Sequence, residues 1–267
     1  MRKKKRVEPT YYRKKVGSYN FEKHKRENRA KRRKINYKRR ILIVLLVIVA
    51  VVAFLCSPFF NVDKIQIKGN HKFTDAEIIQ KGKIEKGHNI FWGSDKSGIK
   101  SRLLENPYIG DVNVSMDLPK TLEVKVNERK AKYYYKKGGY ILLDKNGICL
   151  EIVKDVPKLP QIYGLTLRKS DLGVKLQVDE ERNYDKILKL LNKTKKSDLF
   201  FKKVKISKGT VYANIYDNLL VKGSFNQVSQ AMDNGSLKQV IYKLQQEGVK
   251  RGTITIEKEN YLSFNPL

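Results

Sequence analysis

The sequence predicts an α+β protein, with a single transmembrane helix near the amino terminus followed by two mixed α/β modules in series. Three observations carry this. Ile41 to Phe60 contains fifteen Ile, Leu, Val or Phe residues and no charged side chain. Beyond Phe60, short runs of alternating apolar and polar residues recur between Gly, Asn and Pro, which is the pattern of half-buried strands. Among these runs lie stretches such as Tyr184, Ile187, Leu188 and Leu191, whose spacing marks one face of a helix.

The 267-residue chain has a net charge of +30, spread unevenly. Residues 1 to 40 hold 19 Lys or Arg against three acids, Glu8, Glu22 and Glu27, which leaves +16 in that stretch. It has little apolar content and no sustained period, so a disordered basic tail is expected. A helix over 41–60 would be about 30 Å long, the thickness of the hydrocarbon layer, and its insertion would be favoured by about 4 to 9 kcal/mol. Because Lys and Arg cluster before the apolar run, the amino terminus is expected in the cytoplasm and Asn61 to Leu267 outside, as a single-pass type II cell-membrane protein. The tail would then contact anionic lipid. The alternative is a nucleic-acid-binding arm that stacks bases on Tyr11, Tyr12, Tyr19 and Phe21; nucleic acid is not the expected partner. A cleaved signal peptide would have a much shorter basic region and apolar core, and Leu55 before Cys56 argues against a lipoprotein-type cut. With Cys56 in the apolar run and Cys149 in the outer part, the exterior is expected to be stabilised by its core and not by disulfides.

Outside the span, Ile65 and Ile67 alternate with polar residues and end at Gly69-Asn70, which predicts a strand. Thr74 with Glu77 forms a capping box that opens a short helix ending near Gly82. A second helix is expected from about Asp95 or Ser97 to Glu105, stopped by Asn106-Pro107. Val112, Val114 and Met116, then Leu122, Val124 and Val126, mark two strands joined through Asp117 to Lys120. The order strand, helix, helix, strand, strand over 61–130 makes a compact module with two helices on one face of a three-stranded sheet.

From 131 to 267 the pattern is strand-rich. Tyr140 to Leu143 and Ile148 to Val153 flank the turn Asp144-Lys-Asn-Gly147. A helix is expected from about Glu180 to Lys195 and another from an N-cap at Ser236 to Gly248. Between them, Val204 and Ile206, Val211 to Ile215 and Leu219 to Val221 read as antiparallel strands ended by Gly223, and Thr253 to Ile256 and Tyr261 to Phe264 close the chain as two more. The second module is therefore a mixed β-rich domain with two helices.

The same residues carry little sign of catalysis. His24, His71 and His88 lack metal-ligand spacing to Cys or to one another. No GxSxG, HExxH or phosphate-binding glycine loop occurs, and a Ser-x-x-Lys spacing such as Ser97 with Lys100 means little in so lysine-rich a chain. Glu180-Glu181 reads as first-turn charge complementing a helix dipole. No enzyme activity, cofactor, metal or small-molecule substrate is expected. The natural binding mode is addition of a partner strand to a sheet edge, with Thr253, Ile254, Thr255 and Ile256 and the aromatic anchors Tyr261 and Phe264 as the candidate partner-binding residues.

The stretches FFNVDKIQIKGNHKFTDAEII, NPYIGDVNVSMDLPKTLEVKVNER, YILLDKNGICLE, LPQIYG, LLVKG and GTITIE, in this order along the chain, resemble the FtsQ/DivIB cell-division protein family. The resemblance implies a POTRA domain over 61–130, a β domain over 131–267, and a non-enzymatic scaffold of the bacterial divisome at the septum. It further implies that the scaffold binds small single-span division proteins of the FtsL/DivIC and FtsB type and helps control septal peptidoglycan synthesis. In the family, the strand after the terminal helix lies in the partner-binding region, which corresponds here to Thr253 to Ile256. The chain departs from the pattern in having Thr255 and Glu257 where relatives often place an acidic residue followed by a basic one. The alternative implied by a POTRA module is a chaperone or secretion component at the membrane.

Overall fold

The computed structural model describes residues 18–215, 218–257 and 261–266. The chain divides into two compact units between Asn61 and Val62.

The first unit is one helix, α1 (Ser18–Leu55), followed by a 3-10 turn over Pro58–Phe60. Two expectations are corrected here. The helix begins well before Ile41, because no Gly or Pro interrupts 18–55 and Lys, Arg, Glu and Ala are good helix formers. It ends at Leu55, short of Phe60, because Pro58 lacks an N–H and disfavours helix in the residue before it. Among the described residues no helix is long and apolar enough to cross a membrane. The uncharged part, Ile41 to Leu55, extends about 22 Å at roughly 1.5 Å per residue, against about 30 Å of hydrocarbon. The part of the expected disordered tail that covers 1–17 lies outside the described residues.

The second unit begins with the expected strand, helix, helix, strand, strand order: β1 (Lys64–Lys68), α2 (Asp75–Gly82), α3 (Lys96–Leu104), β2 (Ile109–Asp117) and β3 (Thr121–Glu128). The capping box at Thr74 and Glu77 is formed, with Glu77 N–H donating to Thr74 Oγ1 at 3.3 Å and Thr74 N–H to the Glu77 carboxylate at 2.8 Å. Asp95 caps α3 by accepting from Gly98 N–H at 2.8 Å. The sheet order is β1-β3-β2, with β1 parallel to β3 and β2 antiparallel to it. Ile78, Leu103, Val112 and Val124 close the core under the helices.

The rest of the unit is built on a nine-stranded sheet. Its strands are β4 (Tyr133–Lys136), β5 (Tyr140–Leu143), β6 (Cys149–Val153), β7 (Gln161–Ile162), β10 (Lys203–Ser207), β11 (Thr210–Asn214), β12 (Leu219–Ser224), β13 (Gly252–Ile256) and β14 (Leu262–Asn265). They lie in the order β14-β13-β12-β11-β10-β7-β4-β5-β6, and β8 (Leu167–Lys169) pairs with β9 (Gln177–Val178) as a separate ribbon. Three helices, not two, belong to this part of the described chain: α4 (Glu181–Ser197), α5 (Phe225–Asp233) and α6 (Ser236–Gln246). The strand expected to end at Gly223 runs on to Ser224, whose capping box with Gln227 opens the additional helix α5. Helix α5 packs on β11, β12 and β13, and Val228, Met232, Leu237 and Ile254 bury its contact face in a single core with the sheet.

The two modules of this unit are joined by short polar contacts. Arg129 N–H donates to Tyr108 O at 2.7 Å and Lys132 N–H to Leu143 O at 2.8 Å. The Tyr108 hydroxyl donates to Glu151 at 2.8 Å, and the Arg129 guanidinium reaches Asp144 at 3.3 Å. These bonds tie the linker to both sheets.

Candidate protein-binding edge

Strand β13 follows α6 after the turn at Gly248, whose φ of +72 suits glycine. It pairs in parallel with β12, Leu219 opposite Gly252 through Lys222 opposite Thr255, and antiparallel with β14, Thr253 opposite Asn265 through Ile256 opposite Leu262. Thr253, Ile254, Thr255 and Ile256 are therefore one strand in from the edge. Their ladders are filled on both sides, and Ile254 and Ile256 are buried core residues. The reason is local: the chain turns back after Glu257, and the run Leu262 to Asn265 is long enough to cover β13. The expectation that Thr253 to Ile256 offer free backbone groups is corrected; these residues position the edge without forming it.

Among the described residues no strand lies outside β14. Two hydrogen bonds determine which of its backbone groups are unpaired. Gly252 N–H donates to Asn218 O at 2.9 Å, so the even-numbered residues of β13 address β12. Glu257 N–H donates to Tyr261 O at 2.8 Å, so the odd-numbered ones address β14. Backbone groups alternate sides along a strand. Tyr261, Ser263 and Asn265 thus face β13, and the N–H and C=O of Leu262 and Phe264 face outward.

The side chains follow the same alternation. Leu262 and Phe264 share the helix-covered face with Ile254 and Ile256 and pack, partly buried, against the core. Tyr261 is 68 % exposed. On the opposite face Ser263 Oγ lies 3.3 Å from Glu257 Oε1, and Thr255 stands beside Lys222. Gly252 has φ +140, and a Cβ there would lie 2.5 Å from Cε2 of Phe264; the missing side chain makes room for the ring. Among the described residues no group of three or more His, Cys, Asp or Glu is placed to hold a metal.

The predicted anchors Tyr261 and Phe264 thus flank the edge, and Leu262, absent from the predicted set, supplies half of its free backbone groups. The alternation from Tyr261 to Phe264 was visible in the sequence. Which strand of the pair lies outermost was not.

An edge strand of four residues, closed by Pro266 after Asn265, is short enough to resist indiscriminate pairing and long enough to receive one partner strand. Together with the helix-bearing three-stranded module, this defines a class of α+β proteins in which a two-helix, three-stranded module precedes a large sheet with an open edge. The sequence profile of the POTRA domain, FtsQ-type, matches residues 60–129. Over 237 residues the chain is 30% identical to cell division protein DivIB of Clostridium botulinum strain Loch Maree, covering 86% of this chain and 91% of that protein. It is 23% identical over 243 residues to cell division protein DivIB of Bacillus subtilis, covering 90% of this chain and 86% of the relative. Against cell division protein DivIB of Clostridium acetobutylicum the identity is 34% over 128 residues, spanning 47% of this chain and 51% of that protein. The chain belongs to the FtsQ/DivIB family, with an FtsQ-type POTRA domain followed by a β-rich region.

Proposed function

We propose that this protein is a non-enzymatic scaffold of the bacterial division machinery, held at the membrane by its apolar amino-terminal run and acting at the septum. Its partners are small single-span division proteins of the FtsL/DivIC and FtsB type, and by holding them it helps control septal peptidoglycan synthesis. The observation that carries this reading is the outward-facing backbone of Leu262 and Phe264 at the end of the nine-stranded sheet. A partner strand laid there gains main-chain hydrogen bonds, and the neighbouring Tyr261 adds an aromatic contact. The names of the relatives support a role in cell division. Thr253 to Ile256 contribute by holding β14 in register.

Membrane attachment is part of the same reading. The apolar stretch continues past Leu55 through Pro58–Phe60, and the Lys and Arg before Ile41 can extend their charged ends to the headgroups while the bilayer thins locally. The run before Ile41 sets orientation and touches anionic lipid.

The test is co-purification of the small single-span partners from detergent-solubilised membranes with Leu262→Pro. That change removes an N–H the sheet itself does not use. Partner recovery is expected to fall several-fold while the urea midpoint moves little; full recovery with a folded variant would eliminate β14 as the docking strand.

A further inference from the structure

The loop between α2 and α3 presents the chain's sole tryptophan to solvent. Trp92 is 68 % exposed, although the loop that carries it is built tightly. Ile90 is fully buried. The Asn89 side chain accepts from Phe91 N–H at 3.0 Å, and Gly93 N–H donates back to Asn89 O at 2.8 Å. A Cβ on Gly93 would meet His88 Cβ at 2.9 Å. The exposure of Trp92 is therefore a property of an ordered turn.

The turn lies close to the point where the chain enters the module. Val62, the first residue of the outer unit, donates its N–H to His88 O at 2.9 Å, and Gly87 N–H donates to Val62 O at 2.8 Å. Trp92 is four residues from His88, hence no more than about 14 Å along the chain. Leu55, the last residue of the apolar helix, is seven residues before Val62, at most about 25 Å of extended chain. The chain thus enters this module beside the loop that displays Trp92. On the approach to this turn the exposed Lys83 and Lys86 outnumber the exposed Glu85 between them, which leaves the sign that anionic headgroups attract. Tryptophan is enriched at membrane–water interfaces, where its ring meets the acyl boundary and its N–H remains among polar groups.

We infer that Trp92 inserts into the headgroup layer of the membrane that holds the apolar run, so that the first outer module sits with this loop against the lipid. This rests on the membrane attachment proposed above. One effect would be to limit the tilt of the sheet that carries β14 relative to the bilayer.

The single tryptophan allows a direct test. The full-length protein is reconstituted into vesicles of phosphatidylcholine and phosphatidylglycerol, with or without lipids brominated near the top of the acyl chain, and flotation confirms attachment. Trp92 emission is expected to shift to shorter wavelength and to be reduced by about half or more in the brominated vesicles, as for an interfacial tryptophan. A reporter with Trp92→Tyr and Tyr242→Trp moves the fluorophore to α6 of the second module, where Tyr242 is 59 % exposed; its emission should not respond to bromine. Attached protein with unquenched Trp92, or equal quenching of both reporters, overturns the inference. Failure to float removes the attachment itself, and the inference with it.

Discussion

A methyl group at Gly252 would lie 2.5 Å from Cε2 and 2.6 Å from Cζ of Phe264. The first residue of β13 is thus shaped around the aromatic ring of the strand that forms the sheet's outer edge. The backbone at Gly252, with φ +140, is also one that other residues rarely adopt.

Gly252→Ala is therefore expected to cost about 1 to 3 kcal/mol and to loosen β14 in particular. Urea unfolding would report the stability, and amide exchange at Ser263 and Asn265 the local loosening. On the docking mode proposed above, recovery of the proposed single-span partners should fall by more than the loss of folded protein accounts for. Unaltered exchange at these two amides would show that the strand does not depend on this cradle.

Asp144 is 3 % exposed, accepts from Asn146 N–H at 2.8 Å and Ile148 N–H at 2.9 Å, and faces Arg129 at 3.3 Å. It closes a turn of the second module and receives a cation from the linker. Asp144→Ala should destabilise by about 2 to 4 kcal/mol, because it strands two turn N–H groups and leaves a largely buried guanidinium without its counter-charge. Asp144→Asn keeps an acceptor for the turn and should cost less. Chemical denaturation of the three proteins checks the order, and equal stabilities would mean that the junction contact contributes nothing.

Burial raises the proton affinity of the Glu128 carboxyl, but N–H donation from Lys72, Phe73 and His71 outweighs it, and the pKa falls below its ordinary 4.5. A depressed carboxylate contributes stability that is present above the unfolded value and is lost as pH falls through the folded one. The amide resonances of Lys72 and Phe73 should accordingly titrate together, with a midpoint under 4.5. In Glu128→Gln that titration should vanish and the loop from Gly69 to Phe73 should become more accessible to protease at neutral pH.

Burial pushes the Cys149 thiol up to about 11, with Asp171 and Asp144 adding to the shift. The neutral thiol fits the fold, so its contribution to stability is full below the unfolded value of 9.0 and is lost as pH rises through the folded one. In a Cys56→Ser background, alkylation of Cys149 near neutral pH should proceed only through opening of the core, and its rate should rise in step with urea. Rapid labelling of the native protein would contradict the burial.

Local pattern carried much of this fold into the sequence. Thr74 with Glu77, the alternation of Val112, Val114 and Met116, and the helical spacing of Tyr184, Ile187 and Leu188 each lie within a few residues. Caps and periodicity act over that range, and these elements form where expected. The same local chemistry is present at Ser224 and Gln227, but there a helix follows a strand without a break, so no turn signal separates the two periodicities. The uncharged run from Ile41 was plain, but its helix is cut at Leu55 by Pro58 and continues upstream through the basic residues.

Only the tertiary structure decided the order of strands. Thr253 to Ile256 and Leu262 to Asn265 carry nearly equivalent patterns, and nothing within either says which is flanked and which is outermost. That depends on β12, more than thirty residues earlier, accepting β13 in parallel. The meetings of Arg129 with Asp144 and of Tyr108 with Glu151 are likewise invisible along the chain, because they arise when two separately patterned modules dock. Sequence thus determined which segments become strands and helices and which face of each is apolar, since those follow from neighbours in the chain. Which edge remains open, and which polar groups join the modules, follows from backbone pairing between distant segments, and backbone groups are the same in every residue but proline.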